Sequence, residues 1–264
     1  MAADIVVSEP DPSRGPLAGF LNERALLEMV EGVHARVSAT LNKGRFPVLY
    51  GGDCAVLLGA VPALRDLGET AGLLFVDGHE DATTAQQSVT GEAANMEIAM
   101  LLGTSSSDDT PQPLQRLLPA LRRESIEMLG QRDDGYRREI GVPTIAEDVR
   151  LHTAQETIRD PEQTAARAAA RLDAQASGWW LHVDLDVLDR SEFRACGAAT
   201  DPAMPEGLSW AQLTAITRAA LHADRCRGWS ITVYNPDLDP DRLDAKQIVE
   251  YLARATEDIC PRRM

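Results

Sequence analysis

An α/β fold with a mostly parallel sheet covered by helices on both faces is the class this sequence predicts. Two observations predict it. Short apolar runs alternate with helix-length segments along the chain. The runs themselves, such as Leu73-Leu74-Phe75-Val76 and Trp180-Leu181-His182-Val183, are almost uninterrupted by polar residues, as strands buried on both faces are. A chain of 264 residues with 44% hydrophobic content can build one core of this kind without splitting. No repeat, long linker or composition shift argues for a second unit, so residues 1–264 are expected to form a single domain.

The apolar runs predict strands at Ile5–Val7, Val48–Tyr50, Leu73–Asp77, Ile126–Leu129, Trp179–Val187 and Trp229–Tyr234. Helices are expected over Asn22–Leu41, Ala55–Leu67, Ala93–Leu102, Leu114–Arg123, Pro161–Ala176, Trp210–Ala223 and Ala245–Thr256. Two helix starts are chemically marked. Asp160 precedes Pro161, a cap residue followed by proline at the first helical position. Ser209 with Gln212 three residues on forms a capping-box pattern. The stretch Gly103–Pro113, rich in Ser and Asp, is expected on the surface. Arg190–Gly207 is long and irregular for an α/β connection, which makes it a candidate active-site wall or lid.

The formal charge of −15 argues against a nucleic-acid or anionic-membrane partner. It suits a cationic small molecule, although a solvated acidic surface explains it more simply. No run is long and apolar enough to span a bilayer. The start Met1-Ala2-Ala3-Asp4-Ile5 lacks the basic and apolar regions of a secretory signal, so a cytoplasmic location is expected. The four cysteines, Cys54, Cys196, Cys226 and Cys260, are scattered without CxxC spacing, which disfavours a disulfide framework.

Three segments carry chemistry. In Asp77-Gly78-His79-Glu80-Asp81, the residues Asp77, His79 and Asp81 are spaced by two and share a face of an extended segment. They follow an apolar run, at the strand end where open α/β sheets bind ligands. In His182-Val183-Asp184-Leu185-Asp186, two carboxylates again end a buried strand, with His182 on the same face. Carboxylates crowded at an apolar sheet edge must either take up protons or surround cations. The third segment, Tyr50-Gly51-Gly52-Asp53-Cys54, passes from strand through a glycine turn to a helix start. There the helix dipole favours thiolate and metal binding by Cys54. Each segment has a plainer reading on its own: a polar loop for the first, a cap and a turn for Asp184 and Asp186, a small buried apolar residue for Cys54. Their joint occurrence at three strand ends favours a metal site.

In this order and spacing, the segments between about Tyr50 and Pro236 resemble the signatures of the ureohydrolase family, which includes arginase, agmatinase, formiminoglutamase and guanidinobutyrase. The resemblance implies the three-layer α/β/α arginase/deacetylase-like fold. It also implies metal ligands at Cys54, Asp77, His79, Asp81, Asp184 and Asp186, and two Mn²⁺ ions that activate water. Asp81 would bridge the ions and steer the proton. Thr83, Thr90 and Asp134 fall near positions that hold the substrate's amino-acid end in arginases.

Three departures bear on the substrate. The family histidine after Gly-Gly-Asp is Cys54 here, as in the family's Nω-hydroxy-L-arginine amidinohydrolase of cycloserine biosynthesis, and a thiolate opens the site to Zn²⁺, Fe²⁺ or Ni²⁺. The glutamate that pairs with the substrate guanidinium is replaced by Val233 in Val233-Tyr234-Asn235-Pro236, leaving Tyr234, Glu80 or Glu206 as substitutes. The stretch Thr90–Met96, where arginases carry a proton-shuttling histidine, has none, with Ala94 nearest that place. His182, in place of a family serine, is an acid–base or supporting candidate, with a buried structural role equally open. His34, His152 and His222 are expected to lie apart from the site.

The function expected from these residues is hydrolysis of a C–N bond in a small, cationic guanidino or amidino compound, such as an N-hydroxylated arginine. Two alternatives stay open: hydrolysis of a non-guanidino C–N bond (amide, formimino or hydrazide), and a metal-binding relative that has lost turnover. Homo-oligomerisation is compatible with either. A single-zinc deacetylase-like chemistry is disfavoured, because no adjacent histidine pair is present.

Overall fold

Six parallel strands form one sheet in the order β1-β6-β5-β2-β3-β4. The computed structural model describes residues 4–16, 19–68, 70–104, 110–196, 206–257 and 259. In chain order the elements are α1 (Glu23–Leu41), β1 (Val48–Tyr50), α2 (Leu57–Arg65), β2 (Ala71–Val76), α3 (Glu97–Leu102), α4 (Gln112–Gln115), β3 (Ile126–Gln131) and α5 (Asp134–Ile140). They continue with β4 (Arg150–Thr153), α6 (Ala154–Arg159), α7 (Pro161–Gln175), β5 (Gly178–Asp184), α8 (Trp210–Leu221), β6 (Cys226–Thr232) and α9 (Leu243–Thr256).

β2 and β5 lie side by side in the middle of the sheet, with Leu74 opposite Leu181 and Val76 opposite Val183. Every residue of both strands is buried, which is why their sequences show no polar alternation. The alternation survives in which face each residue serves. Leu73 and Phe75 join one apolar cluster with Val30, Val33, Leu57 and Val61 of α1 and α2. Leu74 and Val76 join the other with Leu172, Leu213, Ile216 and Ile248 of α7, α8 and α9. Helices thus cover both faces in three layers, as the apolar patterning requires. α1 presents Leu26, Val30, Val33 and Val37 as one buried stripe, the 3–4 spacing of an amphipathic helix. Asp160 caps α7 by accepting from the Gln163 N–H, and the Ser209–Gln212 capping box closes at the start of α8.

Several expected elements change. Ile5–Val7 forms no strand; Ile5 instead packs over Gly32 of α1, where an added Cβ would lie 2.7 Å from its methyl group. Leu114–Arg123 is helical only over α4, because Pro119 interrupts it, and Arg65 ties down the carbonyls of Leu117 and Pro119. The helix expected from Ala55 begins as a single 3₁₀ turn, Cys54–Val56. The last strand ends at Thr232, and the expected Trp179–Val187 strand stops at Asp184, where Leu185–Val187 turns as 3₁₀. The edge strand β4 and the polar helices α5 and α6 lack an apolar run and went unpredicted. Of the expected surface stretch and lid segment, 105–109 and 197–205 lie outside the described residues, as does Cys260. Among the described residues no helix is long and apolar enough to cross a membrane.

Candidate metal centre

The site lies where β1, β2 and β5 stop. After β1, Gly51 (φ 106°) and Gly52 (φ 69°) adopt backbone conformations closed to most side chains. They swing the chain into the Cys54–Val56 turn, whose cap Asp53 accepts from the Ala55 N–H at 3.0 Å. Cys54 is 1% exposed. Its thiol donates to Asp184 Oδ2 at 2.7 Å and lies 3.8 Å from Asp77 Oδ2.

Beyond β2, the segment Asp77–Asp81 is not a regular extended strand, as the spacing by two had suggested. Asp77 Oδ1 accepts from the His79 N–H at 2.7 Å, which curls the chain, and Asp81 sits at φ 46°. The Asp81 carbonyl accepts from the Ile98 N–H at 3.1 Å, tying this loop to α3. Beyond β5, Asp184 accepts from the Asp186 N–H at 2.7 Å. That turn, rather than strand alternation, carries Asp186 beside His79, with Nδ1 to Oδ2 at 2.9 Å. Arg132, just after β3, donates to the carbonyls of Asp186 (2.6 Å) and Leu188 (2.8 Å) and fixes the turn.

The described residues place three groups of donors within 4.8 Å: Cys54 with Asp77 and His182, Cys54 with Asp81 and Glu97, and Asp77 with His79 and Asp186. Glu97 was missed from the sequence. It is fully buried, and neither of its oxygens makes a well-aligned hydrogen bond; its close polar contact is the Asp81 carboxyl. The signal that could have found it is an acid inside the apolar run Met96–Leu102. His182 stacks on Phe75 and shares its Nδ1 with the Ser230 hydroxyl at 2.7 Å, while its Nε2 has no partner. Burial pushes its pKa down to about 3, so the ring is neutral.

Protons hold this cluster together. Burial, then the Asp186 charge, pushes Asp77 up to about 7. Burial pushes Asp81 and Asp184 well above the carboxylate range, with neighbouring acids adding to it. Burial followed by Asp184 and Asp77 raises the Cys54 thiol, so the thiolate expected from the helix dipole does not form there unaided. Asp186 is the exception: burial would raise it, but the His79 charge and hydrogen bonds bring it to about 2. The same pair raises His79 against its burial. Crowded oxygens, a buried thiol and orphaned acceptors are what divalent cations satisfy, and the mixed O, N and S donors fit them.

A cleft of about 580 Å³ opens beside the cluster, lined by Cys54, His79, Asp81, Asp184 and Asp186. Of the expected substrate residues, Thr83, Thr90 and Val233 line it, as does Ala94. Asp134 and Tyr234 are not among the lining residues. Asp134 pairs with Arg138 at 2.8 Å, and the Tyr234 hydroxyl donates to Asp239 at 3.0 Å. Glu80 is committed to Thr144, Ile145 and Arg137, and Glu206 is exposed. The lining also includes Asp53, Glu92, Arg132, Asp133 and Cys196, which patterning alone did not mark as site residues. His34 bonds Asp66, His152 bonds Arg171 and His222 bonds the Arg218 carbonyl, each apart from the cleft.

A family model described as "Arginase family" matches residues 11–256. An arginase from Bacillus caldovelox is 27% identical over 179 residues, 67% of this chain and 58% of its own length. The chain therefore matches little more than half of that relative. An N(omega)-hydroxy-L-arginine amidinohydrolase from Streptomyces lavendulae is 26% identical over 219 residues, 82% of this chain and 71% of its own. The solved structure of the Bacillus caldovelox arginase superposes with a TM-score of 0.79 at 23% identity, covering 96% of this chain and 82% of that one. The arginase fold is thereby established.

Proposed function

This chain belongs to the arginase family, and from that premise we propose that it is a two-cation hydrolase of a C–N bond in a small guanidino or amidino compound. The observation that carries the reading is the convergence of Cys54, Asp77, His79, Asp81, Asp184 and Asp186 at adjacent strand ends, with Asp77 buried beneath and the others on the wall of one cleft. These residues would hold the cations; Mn²⁺ suits the carboxylates, and Cys54 admits Zn²⁺, Fe²⁺ or Ni²⁺. When bound, such cations lower the pKa of water and polarise the carbon under attack.

The chain's own groups do the rest. Asp81 belongs to the cluster and lines the cleft, which suits it to accept the proton that water gives up and return it to the leaving amine. His182 is buried beside Cys54 and Asp77, away from the cleft wall, and as a neutral ring would stay out of proton transfer. Thr83 and Thr90 offer hydroxyls to the polar end of the substrate, and Asp53 and Glu92 offer negative charge to a cationic one. An N-hydroxylated arginine is the favoured substrate, on the cysteine shared with the amidinohydrolase branch.

Val233 favours a second reading. It lines the cleft where the family pattern places a guanidinium-binding glutamate, and an isopropyl group cannot pair with a cation. A formimino, amide or hydrazide C–N bond fits that wall better. Assay of the Mn²⁺-loaded protein with L-arginine, Nω-hydroxy-L-arginine, agmatine and N-formimino-L-glutamate separates the two. Release of urea or hydroxyurea supports the guanidino reading. Ammonia or formamide from the formimino compound alone supports the second, and no turnover of any substrate contradicts both.

A further inference from the structure

Glu97 is an ionisable side chain that the proposed chemistry does not use. It opens α3 inside an otherwise apolar run, is 0% exposed, and neither oxygen makes a well-aligned hydrogen bond, its close polar contact being the Asp81 carboxyl. A carboxylate in that setting is strongly disfavoured unless a cation or a proton joins it. It faces the Cys54 thiol and the Asp81 carboxylate, with one donor atom from each of the three within 4.8 Å of the others. The Ile98 N–H to Asp81 carbonyl bond, 3.1 Å, locks the start of α3 to the Asp81 loop and fixes Glu97 against it. A second triad, Asp77, His79 and Asp186, shares no residue with the first. The third group, Cys54 with Asp77 and His182, overlaps both triads, so the two seats adjoin within one continuous cluster.

We propose that Glu97 is a metal ligand, completing with Cys54 and Asp81 a thiolate–dicarboxylate seat for one divalent cation. This rests on the two-cation reading and deepens it, because the resemblance assigns no ligand at this position. One soft and two hard donors accept Mn²⁺, Co²⁺ or Zn²⁺. The seat's loss of the family histidine at Cys54 is offset by the added carboxylate.

The test is equilibrium dialysis of the full chain against Mn²⁺, and separately Co²⁺, for wild type and Glu97→Gln. Wild type is expected to retain two ions. In E97Q one ion stays tight and the other weakens by about 100-fold or more, with the thiolate-to-cobalt absorption of Cys54 lost at the same free Co²⁺. Two ions bound by E97Q with wild-type affinity would overturn the proposal while leaving the two-cation reading intact. A wild type that holds no ion would overturn both. Circular dichroism of the metal-free variant checks its fold. Should E97Q not fold, a Mn²⁺ anomalous map of the wild type decides: an ion about 2.0–2.2 Å from a Glu97 oxygen supports the seat, and ions out of bonding reach of Glu97 refute it.

Discussion

The Cys54 sulfur lies 2.7 Å from Oδ2 of Asp184, a contact between two groups that would both be anions at a metal. Protons make it tolerable: burial and the neighbouring acids raise the Cys54 pKa well above its ordinary value, and burial raises Asp184 as well. Metal binding through sulfur must expel the thiol proton. Cys54→His is therefore expected to keep or strengthen Mn²⁺ binding, because a neutral imidazole ligates without losing a proton. Titration calorimetry in two buffers of different ionisation heat reads this: C54H releases fewer protons per ion than wild type. Equal proton release would exclude Cys54 as a ligand.

Asp77 and Asp184 each border several of the other ligands, so neither can be replaced locally. Asp77→Ala and Asp184→Ala are expected to lose metal at one or both seats, measured by elemental analysis after desalting. Normal metal content in both variants would contradict the site.

Metal affinity should rise with pH. Asp77, raised to about 7 by burial and then by Asp186, and Asp81 and Asp184, raised further, all hold protons that the cation displaces. The metal-free protein should behave in the opposite sense. A carboxyl whose folded pKa is raised from 3.8 to about 7 contributes stability that is complete below about pH 4 and lost as pH climbs through 7. Asp186, lowered to about 2, acts only in acid, losing its contribution as pH falls from 3.8. Melting temperature against pH, with and without Mn²⁺, checks both. A metal-free Tm that rises between about pH 5 and 8 would contradict the burial of these acids.

Gly130 links the sheet to the centre. At φ 104°, a Cβ there would lie 2.4 Å from a Val187 methyl and 3.0 Å from the Asp77 carbonyl. Gly130→Ala is expected to cost about 2–4 kcal/mol by overpacking and backbone strain and to weaken metal binding, because Asp77 is a proposed ligand and Val187 follows another, Asp186. Denaturant unfolding measures the first effect and dialysis the second. An unchanged unfolding midpoint would show that the backbone gives way freely.

The central strands and their ligands were legible because burial on both faces leaves a continuous apolar signature, as in Leu73–Val76, with acids placed abruptly at its end. What patterning missed has physical reasons. Arg150–Thr153 is an edge strand whose exposure removes the apolar signal. Asp186 reaches His79 through a 3₁₀ turn that period-two spacing cannot foresee. Glu97 belongs to the cluster because α3 docks on the Asp81 loop, a tertiary contact between segments 16 positions apart in the sequence. Tyr234 is drawn from the cleft by Asp239, which also caps α9 through the Leu243, Asp244 and Ala245 N–H groups.

Electron paramagnetic resonance of the wild-type chain titrated with Mn²⁺ tests the central claim most directly, since ions in adjacent seats about 3.5–4 Å apart couple their spins. The arrangement of Asp77, His79, Asp81, Asp184 and Asp186 predicts a spin-coupled spectrum that saturates at two ions per chain. Binding that saturates with only isolated six-line Mn²⁺ signals, or no binding at all, would contradict it.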